Sequence, residues 1–235
     1  MTLSPFAGLQ IVEPSQGSTW PVSVLRRTDG LVAGLVPGGF DSYLRILNPF
    51  YDHRSPVVRW RDVAEDVGRK FDAETSYTDL IGPTQVSAQL YGAPIRGSLS
   101  ENDTALLASV LDSHTADPND CLFAVWDGYG WFNVAAADAG GPQRLVGPYL
   151  PYLLFAGHLA AATSVRAGTY FQSPTLWWPA ERTWCVATDP DTYSTYIGGN
   201  GDLIRHLESE SSLENIRVQL TDASCRGPYP PRQPR

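Results

Sequence analysis

The chain has 235 residues, 43% of them hydrophobic, 18% charged and 11% aromatic, enough to bury about 70% of the surface its unfolded form exposes without a metal or disulfide staple. Its formal net charge of −8, from 25 acidic against 17 basic side chains, opposes non-specific attraction to nucleic acid and to anionic lipid. No stretch approaches the roughly 18 apolar residues of a membrane span, and the opening MTLSPFAGLQIVEPSQ lacks the basic and apolar regions of an export signal.

Three cysteines, Cys121, Cys185 and Cys225, form an odd set with no C-x-x-C pair, the pattern of reduced thiols in a reducing compartment. A cytoplasmic protein is therefore expected. In chain order, VSVLRR and LVAGLV flank Thr28-Asp29-Gly30, a turn signal that predicts an opening β-hairpin. VPGGFDSYLRIL then places Phe40, Tyr43, Leu44 and Leu47 at i, i+3, i+4 and i+7, which predicts a helix ending near Asn48-Pro49.

A second helix is expected over Val57–Val67, with Trp60, Val63, Ala64 and Val67 on one stripe and Gly68 as its stop. Residues 69–97 read as loop, with enough alternation over Thr84–Leu90 to allow a strand. Ser100–Thr115 carries a polar cap and first-turn acids ahead of a stripe of Leu106, Leu107, Val110, Leu111 and His114, a well-marked helix. Leu122–Trp126 is a continuous apolar run closed by Asp127-Gly128, the pattern of a buried central strand.

AAADAGGPQ reads as a mobile connection, Arg144–Val146 and Tyr152–His158 as further strand runs, and Ala160–Ala167 either as a short helical turn or as an extension of the connection to the tryptophan stretch. Trp184–Thr188 and Tyr193–Ile197 flank Asp189-Pro190-Asp191, a hairpin, after which Gly198-Gly199 leads into a helix over Asp202–Leu207 capped by Asn200. Ile216–Leu220 suits a terminal edge strand. The last ten residues, RGPYPPRQPR, are expected to be a disordered Pro/Arg-rich tail. The expected architecture is a single α+β domain over residues 1–225, a mainly antiparallel meandering sheet with about four helices packed on it.

No complete catalytic, nucleotide or metal motif is present. His53, His114, His158 and His206 share no ligand spacing, and no metal or cofactor is expected. Asp127, Asp189 and Asp191 follow predicted strands, so aligned strand ends could bring them together for hydrolysis, with His158 as a general base. Their Pro and Gly neighbours equally make them turn aspartates. Trp177 and Trp178, between Pro174 and Pro179, offer either core packing or a contact surface, and adjacent side chains diverge, which leaves one of the two rings partly exposed. Glu181 and Arg182 lie beside them as local hydrogen-bonding or partner-binding groups.

Taken together, VPGGFDSYLRIL, VVRWRDVAED, CLFAVWDGYGW and SPTLWWPAERTWCVATDPDTYSTYIGG resemble a group of actinobacterial proteins over roughly residues 30–215, from which no function carries over. VPGGFDSYLRI is also similar to the opening helix of the SMI1/KNR4 (SUKH) superfamily. That resemblance implies an α+β immunity protein that binds and neutralises a toxin. The leading expectation is a cytoplasmic module that binds another protein. The alternatives are an enzyme using the strand-end carboxylates, and a small-ligand regulatory protein reading its ligand on Trp177 or Trp178.

Overall fold

The structure is a computed structural model in which residues 6–15, 18–25, 28, 30–50, 58–81, 92–131 and 143–225 are described. The expected tail, the possible strand at Thr84–Leu90, most of AAADAGGPQ, Asp29 and His53 lie outside the described residues. No helix among the described residues is long and apolar enough to cross a membrane.

The fold is α+β, built on one large sheet. Its strands are β1 (Leu9–Ile11), β2 (Ser42–Leu47), β3 (Cys121–Trp126), β4 (Leu145–Val146), β5 (Pro151–Gly157), β8 (Leu176–Pro179), β9 (Trp184–Ala187), β10 (Ser194–Gly199) and β11 (Asn215–Val218). They run in the order β1-β5-β3-β8-β9-β10-β2-β11, with β4 also on β5, and every pairing is antiparallel. Between β5 and β8, β6 (Arg166–Ala167) and β7 (Tyr170–Phe171) form a separate small hairpin. Among the described strands, only β8-β9-β10 is a sequential meander, because β3 lies between β5 and β8 and β2 between β10 and β11.

Side chains alternate with period two, as pleated strands require. Leu44, Ile46, Phe123, Phe155, Trp177, Trp184 and Ile197 enter one core, while Tyr43, Leu122, Leu154, Trp178, Cys185 and Tyr196 enter the core on the opposite face. The first face is covered by α4 (Glu101–Asp112), α5 (Gly201–Ser209) and a 3-10 turn at Leu159–Ser164. The second is covered by α1 (Trp20–Val24) and the segment through Leu35 and Val36, and further along by α2 (Trp60–Asp66) and α3 (Tyr77–Ile81).

The helices α4 and α5 begin where the sequence marks them. Ser100 Oγ accepts from the Asp103 N–H at 3.0 Å and Asn200 Oδ1 from the Leu203 N–H at 2.8 Å, so each N-cap satisfies one orphan donor. The predicted hairpin forms as β9 and β10, and Ile216 lies in the edge strand β11. Gly198 and Gly199 belong to β10 rather than to a turn after it. A Cβ at Gly198 would meet Phe40 Cδ2 at 2.3 Å, so hydrogen is the side chain that lets this ring lie on the strand.

Two expected elements are corrected. The helix predicted across VPGGFDSYLRIL is a loop followed by β2, the strand between β10 and β11. A strand covered on both faces is apolar on both, so its residues satisfy helical spacing by coincidence. The SUKH-like opening helix is therefore absent at that position. The opening hairpin is replaced by α1 and a 3-10 turn at Val32–Gly34. Pro21, with its fixed φ at the first helical turn, starts α1. Five α-helices are described, and α3 occupies part of the stretch read as loop.

Arg45, in the middle of β2, is only 1% exposed. Its Nε donates to Ser194 Oγ at 2.9 Å, its Nη1 to the carbonyls of Ala73 and Thr75 at 2.9 Å each, and its guanidinium lies 5.4 Å from the Trp60 ring centroid. The cation ties the 72–75 loop and α2 to the sheet.

Candidate functional site

The strand-end carboxylates do not assemble. Register places Ala124, Leu176 and Ala187 side by side, so Asp127 after β3 and Asp189 after β9 share one end of the sheet but are separated by β8, roughly 10 Å across two strand spacings. Asp127 pairs with Arg144, and Asp191 with Arg96 at 2.6 Å. Asp189 Oδ1 accepts the Asp191 N–H at 2.8 Å, a turn-stabilising role. His158 lies at the opposite end, because Cys121 pairs with Gly157, and β3 sets it roughly 20 Å from Asp127. There its Nδ1 accepts the Ala160 N–H at 3.0 Å and caps the 3-10 turn.

Trp177 and Trp178 are both fully buried, which corrects the expectation that one remains partly exposed. They do diverge, Trp177 into one core and Trp178 into the other, but both faces are covered. Trp177 meets Trp184 edge-on at 5.8 Å. Neither ring is a contact surface. Glu181 Oε1 accepts the Ala116 N–H at 2.9 Å, and the Arg182 guanidinium lies 5.6 Å from the Trp20 ring, so both fasten the β8–β9 turn to its surroundings. Cys121, Cys185 and Cys225 are free thiols, and burial pushes that of Cys121 up to about 12.

Elsewhere the fold brings polar groups together in a cleft of about 190 Å³. Ile46, Leu47 and Pro49 at the end of β2 and Leu213 give it an apolar wall, and Arg59, Asp103, Ser212 and Glu214 supply its polar groups. They come from three separate segments of the chain. Arg59 precedes α2, Asp103 is in the first turn of α4, and Glu214 precedes β11.

Glu214 is held by its surroundings. Its carboxylate accepts the Trp60 N–H at 2.7 Å and the Arg61 N–H at 2.9 Å, capping α2 from outside the helix, and its carbonyl accepts the Leu47 N–H at 2.9 Å. Burial raises its carboxyl pKa, and those two N–H bonds and the charges of Arg61 and Arg59 only partly oppose the shift. Burial also raises the Asp103 carboxyl, opposed only by Ser100. Arg59 is already engaged, donating to the Ser211 carbonyl at 2.6 Å. The cleft thus presents two desolvated carboxyls, and among the described residues no cation offsets the burial of Asp103.

Sequence reading missed this site. Asp103 is legible only as a first-turn acid and Glu214 only as a loop acid, and it takes the β2–β11 pairing and the packing of α2 and α4 to join them. Among the described residues, no set of three or more His, Cys, Asp or Glu side chains is arranged to hold a metal ion. No family model, no curated protein and no solved structure matches the chain.

Proposed function

We propose that this chain is a protein-binding module whose cleft at Asp103 and Glu214 receives a basic side chain of a positively charged partner. The carrying observation is the burial-raised carboxyl of Asp103 in a cleft of about 190 Å³, without a cation of its own. Ligand sites for whole small molecules run from about 300 to 1,000 Å³, so this volume suits one long side chain better than a metabolite. An incoming ammonium or guanidinium favours the ionised carboxylate, and the apolar wall accommodates the methylene stem of such a side chain. The net charge of −8 supports the same partner class by drawing a basic protein into encounter.

Titration of the ¹⁵N-labelled chain with N-acetyl-lysine amide tests the cleft. Amide shifts are expected to cluster at residues 46–49, 59, 103 and 212–214, to be absent with the norleucine analogue, and to weaken in Asp103→Asn. Equal shifts with norleucine, or shifts scattered over the surface, would overturn the reading. An immunity-type role with a basic toxin is the specific form to test at the level of whole proteins. Co-expression with the protein encoded beside this one is expected to give a complex that salt and Asp103→Asn both weaken, and a complex indifferent to both would sink the proposal.

A further inference from the structure

The C-terminal ends of α4 and α5 meet on the first face of the sheet, where His114 follows α4 and His206 occupies the last turn of α5. Their rings lie 5.4 Å apart at a 54° tilt, with His114 Nε2 and His206 Nδ1 at 3.1 Å. His206 is exposed and His114 partly so, and both facing nitrogens belong to a pair open to solvent rather than to a packed core. We propose that His114 and His206 form a two-histidine site for an imidazole-seeking divalent cation such as Zn²⁺, bridging α4 to α5.

The spacing carries the assignment. Imidazole nitrogens bind Zn²⁺ at about 2.0–2.1 Å, so two of them at a tetrahedral angle stand about 3.3–3.4 Å apart. The observed 3.1 Å is close to that edge, and exchanging the shared proton for a metal ion needs only a modest turn of each ring.

Asp202 lies four residues before His206, one helical turn back on the same face of α5, and is paired with Arg205. Its negative charge favours a cation at the histidine pair without supplying a ligand. No third ligand is contributed by the described residues, so the remaining coordination positions are open to water. α4 carries Asp103 in its first turn and His114 beyond its opposite end, so the histidine site does not rest on the Asp103/Glu214 cleft.

Calorimetric titration of the full chain with Zn²⁺ in a non-chelating buffer, paired with thermal melts, tests the site. One equivalent is expected to bind and to raise Tm. His114→Gln and His206→Gln should each weaken binding by at least about tenfold, since losing a ligand costs no less than losing an outer-shell partner. Both side chains are solvent-accessible, so neither variant should lower Tm much without metal. Cys225→Ser, which removes the thiol least buried of the three, should bind like the parent. Absence of binding with Zn²⁺ in large excess, full binding by either histidine variant, or loss of binding in Cys225→Ser would each overturn the assignment.

Discussion

Trp178 sits in a fully enclosed position on the second face of the sheet, packed in the core that also holds Leu122, Cys185 and Tyr196. Trp178→Ala should cost about 3–5 kcal/mol of unfolding free energy, the range for deleting a buried aromatic, read as a lower midpoint in urea. A contact residue would show little change in that measurement. Asp103 makes the opposite case, a side chain whose burial is unfavourable to its charge. A carboxylate in the first turn of α4 gains about 0.3–1 kcal/mol from the helix dipole, yet its pKa is raised, so desolvation outweighs that gain. Its folded pKa exceeds the unfolded value of about 4, so the stability held by the protonated form is fully present in acid and lost as pH rises through the folded pKa. Asp103→Asn cannot ionise. Its Tm should match the parent at low pH and exceed it near neutrality, and equal Tm values across the range would contradict the burial argument.

At the scale of elements, what was legible in the sequence followed from local causes. Ser100 and Asn200 mark α4 and α5 because a cap is decided within four residues, and the turn at Asp189-Pro190-Asp191 makes β9 and β10 neighbours for the same reason. The segment 42–47 was not legible. Its neighbours β10 and β11 come from the last quarter of the chain, and cover on both faces erases the alternation that distinguishes a strand. The N-terminus of α2 shows the same dependence on distant chain. Arg59, its N-cap, provides no side-chain cap, and Glu214 supplies the acceptors instead. Glu214→Ala should therefore destabilise by about 1–2 kcal/mol, as for loss of an ordinary cap, and should speed hydrogen exchange at the Trp60 and Arg61 amides before elsewhere. Uniform acceleration across the sheet would mean that the cap has no local role.

Over the whole molecule, composition gave a substantial core and the predicted elements an α+β protein, but neither gave the order of the strands, because order is set by which apolar faces find cover, not by any short motif. The candidate site suffered from the same blindness. The residues that stood out in sequence, Trp177, Trp178, Asp127 and Asp189, prove to be core or turn residues, and the cleft is made of acids with no local signature. Net charge was the one molecular property read directly that bears on the proposed function, because an acidic surface favours a basic partner.

The position of β2 also sets a clock on biosynthesis. This strand leaves the ribosome early, while its two neighbours begin at Ser194 and Asn215, about 150 residues later. At roughly 5–20 residues per second, that interval is on the order of 10 s. Throughout it, the nascent chain carries the segment SYLRIL with neither hydrogen-bonding edge filled by its native partner. The β10-β2-β11 side of the sheet is thus among the last to close, and slowed translation beyond residue 47 should prolong the period in which the growing chain depends on chaperones.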